Sequence, residues 1–268
     1  MTEKPKADGA HWSAWTRLAA IQEGQSEISA IGADVAGAVF NYHPQGKGLN
    51  WRTNLYYIET RDWGTTWHTV EGDDLSLPLN TAQNGALVHD YASEGLNVYL
   101  KDIRYDAAKR PVILYLTSRG YEAGPGNDPR TWTIARWTGL GWEVNTAFTS
   151  DSNYDMWSLY LEGDIWRVIA PTALGPQRFN PGGEVVVWVS DDQGRRWEKV
   201  RQLTEDSPYN HTYVRRPLQA HPNFYAFWAD GHARRPSGSN LYFCDRAGDV
   251  YRLPRRMEGD SIAPEPVV

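Results

Sequence analysis

Short apolar runs bounded by Gly, Pro, Asn or Asp recur along the chain. Residues Asn54–Thr60, Val112–Thr117, Trp166–Ala170, Glu184–Ser190 and Phe224–Trp228 are rich in β-branched and aromatic side chains and read as strands. Asn54–Thr60 and Glu184–Ser190 each lead into the same turn. Thr60-Arg-Asp62-Trp-Gly64-Thr-Thr-Trp67 and Ser190-Asp-Asp192-Gln-Gly194-Arg-Arg-Trp197 both match Ser/Thr-x-Asp-x-Gly-x-x-Trp. In such an Asp box the carboxylate accepts bonds from turn amides, Gly supplies a positive φ and Trp tucks beneath. Its role is structural. No long segment shows a helical period, so the chain is expected to be all-β.

Weaker echoes keep only Gly-x-x-aromatic: Gly9 to Trp12, Gly139 to Trp142 and Gly248 to Tyr251. The closing aromatics, at 12, 67, 142, 197 and 251, are spaced by 55, 75, 55 and 54 residues. That is about the period of a four-stranded β-propeller blade. Four blades are expected, at 28–75, 96–150, 156–204 and 211–254, with residues 13–21 as an orphan last strand of a blade before them. This count is compatible with an incomplete seven-bladed propeller. Residues 1–254 are thus read as blades and 255–268, charged and Pro-containing, as a flexible tail.

Composition narrows the partners. The 268 residues suffice for one large all-β domain or two smaller ones. No apolar stretch reaches bilayer length, so no membrane partner is expected. The net charge of -6, with 27 basic and 33 acidic residues spread along the chain, argues against a nucleic-acid surface. Arg215-Arg216 and Arg234-Arg235 could still hold an anionic ligand. One cysteine, Cys244, excludes an internal disulfide, and a monomer is expected. There are 13 Trp and 15 Tyr against 6 Phe. Rings with a polar handle suit sugar faces, although strand packing accounts for roughly two-thirds of them.

Several stretches carry a family resemblance: Phe40-Asn-Tyr-His-Pro44, Arg52-Thr-Asn-Leu-Tyr-Tyr57, Asn210-His-Thr-Tyr-Val-Arg-Arg-Pro217, and Ala220 through His232 with Ser239 through Asp245. With the Asp boxes, which resemble those of sialidases, they are similar to the bacterial-neuraminidase-repeat propellers that include ulvan lyases. Those enzymes cleave a sulfated, uronate-containing algal polysaccharide. The resemblance runs from about Trp12 to Pro254, and relative to the family the chain is expected to lack its opening blades. It implies an anionic polysaccharide as partner, β-elimination as the reaction and no cofactor for the chemistry. It also implies a secreted or periplasmic location, although Met1 to Gly9 has no apolar core of a signal peptide.

Elimination at a uronate needs a base for the C5 proton, an acid for the leaving oxygen and a cation on the carboxylate. His43, where a strand opens into a Pro- and Gly-rich loop, resembles a family His facing the substrate cleft. A His that merely fixes the loop before Pro44 is the alternative. By resemblance Tyr121 fits the proton-transferring Tyr and Arg136 the carboxylate-neutralising Arg; loop packing and a strand ion pair are their plainer readings. Gln25, Arg52, His211 and Arg215 are candidate substrate contacts. Strand alternation puts Arg215 on one face with His211 and Tyr213, and a structural network there is the alternative.

His221, His232 and Cys244 combine borderline and soft donors, a set that fits a structural zinc; a buried free thiol beside hydrogen-bonded His residues is the competing reading. Two departures from the family stand out. Gly24-Gln25-Ser26 replaces a Gly-His-Tyr, and Phe179 replaces a Tyr. A non-catalytic glycan-binding propeller therefore competes with the lyase, as does a shortened chain that folds without its cleft. A sialidase-like hydrolase ranks last, since no amino-terminal Arg-Ile-Pro strand is present.

Overall fold

The computed structural model describes residues 15–256 and 258–267. The Gly9–Trp12 echo and residues 13 and 14 of the expected orphan strand lie outside that range. Seventeen strands are found among the described residues. The first sheet holds β1 (Glu27–Ile31), β2 (Ala36–Tyr42), β3 (Thr53–Thr60) and β4 (Leu87–His89); the second holds β5 (Asn97–Tyr105), β6 (Pro111–Ser118), β7 (Arg130–Trp137) and β8 (Trp142–Ser150). The third is β9 (Ser158–Glu162), β10 (Ile165–Ala173), β11 (Glu184–Ser190) and β12 (Glu198–Gln202); the fourth is β13 (Asn210–Arg215), β14 (Ala226–Gly231), β15 (Leu241–Cys244), β16 (Val250–Arg252) and β17 (Glu265–Val267). Within every sheet the hydrogen-bonded neighbours are consecutive in sequence. These are four antiparallel propeller blades in chain order. No helix among the described residues is long and apolar enough to cross a membrane.

The chain divides into two compact units, one running through Tyr121 and including Ala135–Val144, the other holding Glu122–Ile134 and the residues from Asn145 onward. In the first unit, strand alternation feeds two cores. Phe40 and Tyr42 of β2 join Tyr56 and Ile58 of β3 in one cluster, while Val39, Leu55 and Tyr57 join Val98, Ile113 and Tyr115 in the other. Both faces of β2 and β3 are buried, so these strands read as nearly unbroken apolar runs. The second unit packs Val185, Val187, Val214, Tyr225 and Trp228 together.

The Gly-x-x-aromatic turns follow the third strand of each blade. In the first full box, Asp62 accepts the amides of Thr65 (2.8 Å) and Thr66 (2.9 Å), and Thr60 Oγ1 accepts the Gly64 amide at 2.7 Å. Ser190 and Asp192 repeat the pattern toward Gly194 (2.8 Å) and Arg196 (2.9 Å). Those bonds hold Asp62 well below the ordinary carboxylate range, the amide of Thr66 foremost. Gly194 is required twice over: its φ is 85°, and a Cβ there would lie 2.8 Å from the Trp166 ring. The longer 75-residue spacing arises in the first blade. After Trp67 the chain bridges back through His68 to Glu59, then inserts residues 69–86 before β4.

Two expectations change. Residues 15–21 form no strand of an earlier blade; Ala19 makes a parallel bridge to Leu79, and Leu18 and Ile21 are buried in a core of the first unit. The segment beyond 254 returns to pair β17 with β16, Arg252 opposite Glu265. An unpaired β16 edge and the Arg252–Glu265 ion pair at 2.5 Å account for that return.

Candidate functional site

β2 ends at Tyr42, and the next residue, His43, is buried. Its amide donates to the Gly24 carbonyl (2.9 Å), so the backbone beyond the strand is still fixed. The following loop doubles back through Gly48, which brings the Trp51 carbonyl to 3.1 Å from His43 Nδ1. A carbonyl only accepts, so Nδ1 carries the proton and Nε2 keeps its lone pair. That lone pair faces Ser26 Oγ at 3.3 Å. Burial pushes the His43 pKa below the ordinary imidazole value, and the Arg52 charge adds to the effect against the pull of the Trp51 carbonyl. The result is a neutral imidazole with a basic nitrogen aimed at a polar neighbour.

Arg52 stands just before β3. The β2–β3 register slips between Phe40 and Tyr42, and Asn54 absorbs the slip with a left-handed φ of 61°. A bulge of this kind re-aims the side chains beside it. Arg52 Nη1 lies 3.5 Å from Ser26 Oγ, Nη2 donates to the Leu49 carbonyl at 3.2 Å, and its guanidinium sits 5.2 Å from the Tyr99 ring centre. The buried Lys101 approaches the same ring at 5.8 Å. Asn41, fully buried, stitches the assembly: it accepts from the Ser26 amide (3.2 Å) and donates to the Val98 carbonyl (2.9 Å). Sequence reasoning missed Ser26, Tyr99 and Lys101. The signal was present in Asn97-Val-Tyr99-Leu-Lys101, where alternation sets polar and aromatic groups on one face of a strand.

Tyr121 and Arg136 do not share a strand end. Asn97 pairs with Ser118, so β6 leaves its sheet beside the start of β5, and Tyr121 follows three residues on, exposed. The Val98 amide donates to the Arg52 carbonyl at 2.8 Å, so Arg52 sits at that same end. Arg136 lies two residues from Thr138, whose carbonyl accepts from Arg110 beside the start of β6. The eight-residue β6 spans about 23 Å. The expected His43–Tyr121–Arg136 trio is therefore corrected. Arg136 belongs to the far strand end, buried and paired through Nε (2.9 Å) and Nη2 (2.6 Å) with Glu143. Gln25 is tied by Nε2 to the Ile21 carbonyl at 2.8 Å.

In the second unit, His211 and Arg215 part company. His211 opposes Asp230 and Arg215 opposes Phe227, three residues apart on β14, so a bulge has moved them to opposite faces. Tyr213 sits in that bulge at φ 57° with the Arg215 guanidinium 5.6 Å from its ring. His211 is buried. Its Nδ1 accepts from Trp228 Nε1 (3.0 Å), which places the proton on Nε2, facing Ser207 Oγ (2.9 Å). Ser207 in turn donates to Glu184 at 2.9 Å. This tautomer makes His211 a donor, so the Ser207–His211 pair is wrongly disposed for nucleophilic chemistry.

The proposed metal set is likewise not assembled. His221 precedes β14 and His232 follows it, while Cys244 pairs with Ala226 at the His221 end. The six-residue β14 between them spans about 17 Å and puts the two residues at opposite strand ends. Nδ1 of His221 accepts the Asn223 amide, and Nδ1 of His232 accepts the Arg234 amide. Among the described residues no group of three or more His, Cys, Asp or Glu could hold a metal ion. Burial pushes the Cys244 thiol up to about 12. The native protein should therefore ignore a disulfide reagent in mildly alkaline buffer and release one equivalent of thiol on denaturation; fast labelling of the folded protein would contradict this placement.

Antiparallel blades of four or five strands, each with a Gly-x-x-aromatic turn after its third strand, define a β-propeller protein. The chain belongs to the BNR repeat-containing family, whose model matches residues 5–148. No curated protein matches it. Among solved structures it resembles an ulvan lyase that represents a new polysaccharide lyase family, with a TM-score of 0.69 at 15% identity over 90% of this chain. The same values hold for that lyase bound to -[GlcA(1-4)Rha3S]-. A Dyadobacter fermentans protein of unknown function superposes with a TM-score of 0.52 at 14% identity, over 89% of this chain and 66% of its own. The chain spans 57% of the length of the ulvan lyase.

Proposed function

We propose that this chain is a polysaccharide lyase-like propeller that acts by β-elimination on a uronate-containing anionic polysaccharide. The observation that carries the reading is the neutral His43, its Nε2 lone pair directed toward Ser26 with the Arg52 guanidinium alongside. Arg52 binds the uronate carboxylate, which acidifies the C5 proton. His43 Nε2 takes that proton, and the C–H electron pair becomes the C4–C5 double bond. The C4–O4 bond breaks, and the Tyr121 hydroxyl protonates the departing oxygen. Solvent then reprotonates Tyr121 and deprotonates His43. Arg52 takes the carboxylate role that the sequence suggested for Arg136.

Ulvan and a panel of other uronic polysaccharides incubated with the protein should yield the ultraviolet absorbance of the unsaturated uronate. One observation favours the competing glycan-binding reading: Gln25, tied to a backbone carbonyl, offers no second proton acceptor beside His43. Saturable binding of the same glycans by folded protein, with no absorbance from any of them, would select that reading and end the lyase proposal.

A further inference from the structure

A second site, independent of the first, lies at the opposite strand end of the first blade. β2 runs from Ala36 to Tyr42, so about 20 Å of strand separates its His43 end from the hairpin at Ala36. There a cavity of about 280 Å³ is lined by Gly32, Asp34, Val35, Thr60, Arg61 and Trp63, among others. Trp63 is 75% exposed. It also occupies a left-handed backbone position, φ 58°. The box geometry demands that φ, because Gln193 holds the matching place in the other box at 61°. Nothing in the turn demands an aromatic. A bulky residue is costly in this region, and an exposed indole gains nothing from core burial. The cavity beside it gives the ring a use.

The charges around the cavity are already matched. Asp34 accepts from Lys109 Nζ at 3.0 Å and faces Arg61 Nη1 at 3.6 Å; Arg61 reaches Glu59 through Nε (3.2 Å) and Nη2 (2.9 Å). Two cations against two carboxylates leave no net field for a polyanion. What remains is an exposed indole that lines the same cavity as a carboxylate and a guanidinium. That combination stacks on the C–H face of a sugar and hydrogen-bonds its hydroxyls. The cavity lies at the small end of ligand pockets, enough for a single ring. We infer that Trp63, Asp34 and Arg61 form a secondary carbohydrate site for one neutral pyranose unit of a glycan. It would anchor the protein on polysaccharide independently of any chemistry at His43.

The test is an NMR titration of the full chain with L-rhamnose and cellohexaose as neutral probes and heparin as the anionic one. The Trp63 indole N–H signal is assigned by comparison with Trp63→Phe. A shift saturating at roughly millimolar neutral sugar is expected for so small a ligand. Trp63→Ala should weaken binding roughly tenfold or more, and Trp63→Phe should retain part of the affinity. Arg61→Ala should weaken it without moving the Trp63 signal of the free protein far. The inference falls if neither neutral probe shifts Trp63, if Trp63→Ala binds unchanged, or if only heparin acts. Broadening of the Trp63 signal with protein concentration rather than with sugar would assign the surface to self-association and overturn it equally.

Discussion

Alanine at position 43 should lower turnover of a uronate-containing polysaccharide by about 10²–10⁴-fold, the usual contribution of a positioned general base. KM should move far less, since the imidazole holds a proton and not the sugar. The pH profile gives the sharper signature. Burial lowers the His43 pKa, so the neutral, proton-accepting form persists below the pH at which a free imidazole would protonate. The acid limb of the rate should therefore fall below the ordinary imidazole value, and it should vanish from whatever activity His43→Ala retains. The same shift has a stability consequence. A folded pKa below the unfolded one stabilises the fold above the unfolded value, and that contribution is lost as pH falls through the folded pKa. Arg52→Ala should behave differently, raising KM and lowering turnover together, because the guanidinium binds the carboxylate in the ground state and binds the charge that builds on it in the transition state more tightly. Arg52→Lys keeps the charge but loses the fork and should recover only part. If His43→Ala keeps turnover within a few-fold of the parent, His43 is a loop-fixing residue and the elimination mechanism loses its base.

The blades were legible because their signals are local. The strand expected at Glu184–Ser190 is β11 to the residue, and Val112–Thr117 lies within β6. Both Asp boxes close through bonds spanning at most four residues, so the motif dictates the geometry. The site was less legible because it depends on which strand ends meet. Nothing in Trp132-Thr-Ile-Ala-Arg136-Trp137 says which end of β7 faces the exit of β6, and Arg136 was accordingly grouped with Tyr121. The His211–Arg215 pairing failed on a single inserted residue, since a bulge inverts every face beyond it. His221 and His232 have an attractive spacing in sequence, yet the extended strand between them holds them apart. His43 was accessible from its place before Pro44. Ser26, which it faces, Arg52 beside Ser26 and Tyr99 beneath Arg52 come from three separate segments that only the tertiary pairing joins.

The largest stability loss should come from Arg130, a residue that sequence patterning gave no reason to single out. It is 1% exposed, yet charged. Its Nη2 donates to the carbonyls of Glu122 (3.0 Å) and Gly124 (2.9 Å), and Nη1 donates to the Asp128 carboxylate. The loop it holds has little else to fix it. The short 3-10 turn Pro125–Asn127 buries no residue, and Asn127 adds one bond to the Glu122 carbonyl at 3.1 Å. Arg130→Ala strands two carbonyls at about 1–3 kcal/mol each and empties the space of a buried stem, so a loss of about 3–5 kcal/mol is expected. For a protein of this size the melting temperature should drop by roughly 10 °C. Arg130→Lys presents one ammonium to three acceptors set in a fork and should recover less than half. Asp128→Ala should cost less than either, because Arg130 keeps both carbonyls and water can enter where the 40% exposed carboxylate stood. The loop begins immediately after Tyr121, so loosening it should also slow protonation of the leaving oxygen in Arg130→Lys, lowering turnover without shifting the acid limb set by His43. Thermal melts of the three variants decide the first point: an Arg130→Ala protein melting within a degree or two of the parent would show that the loop is held elsewhere.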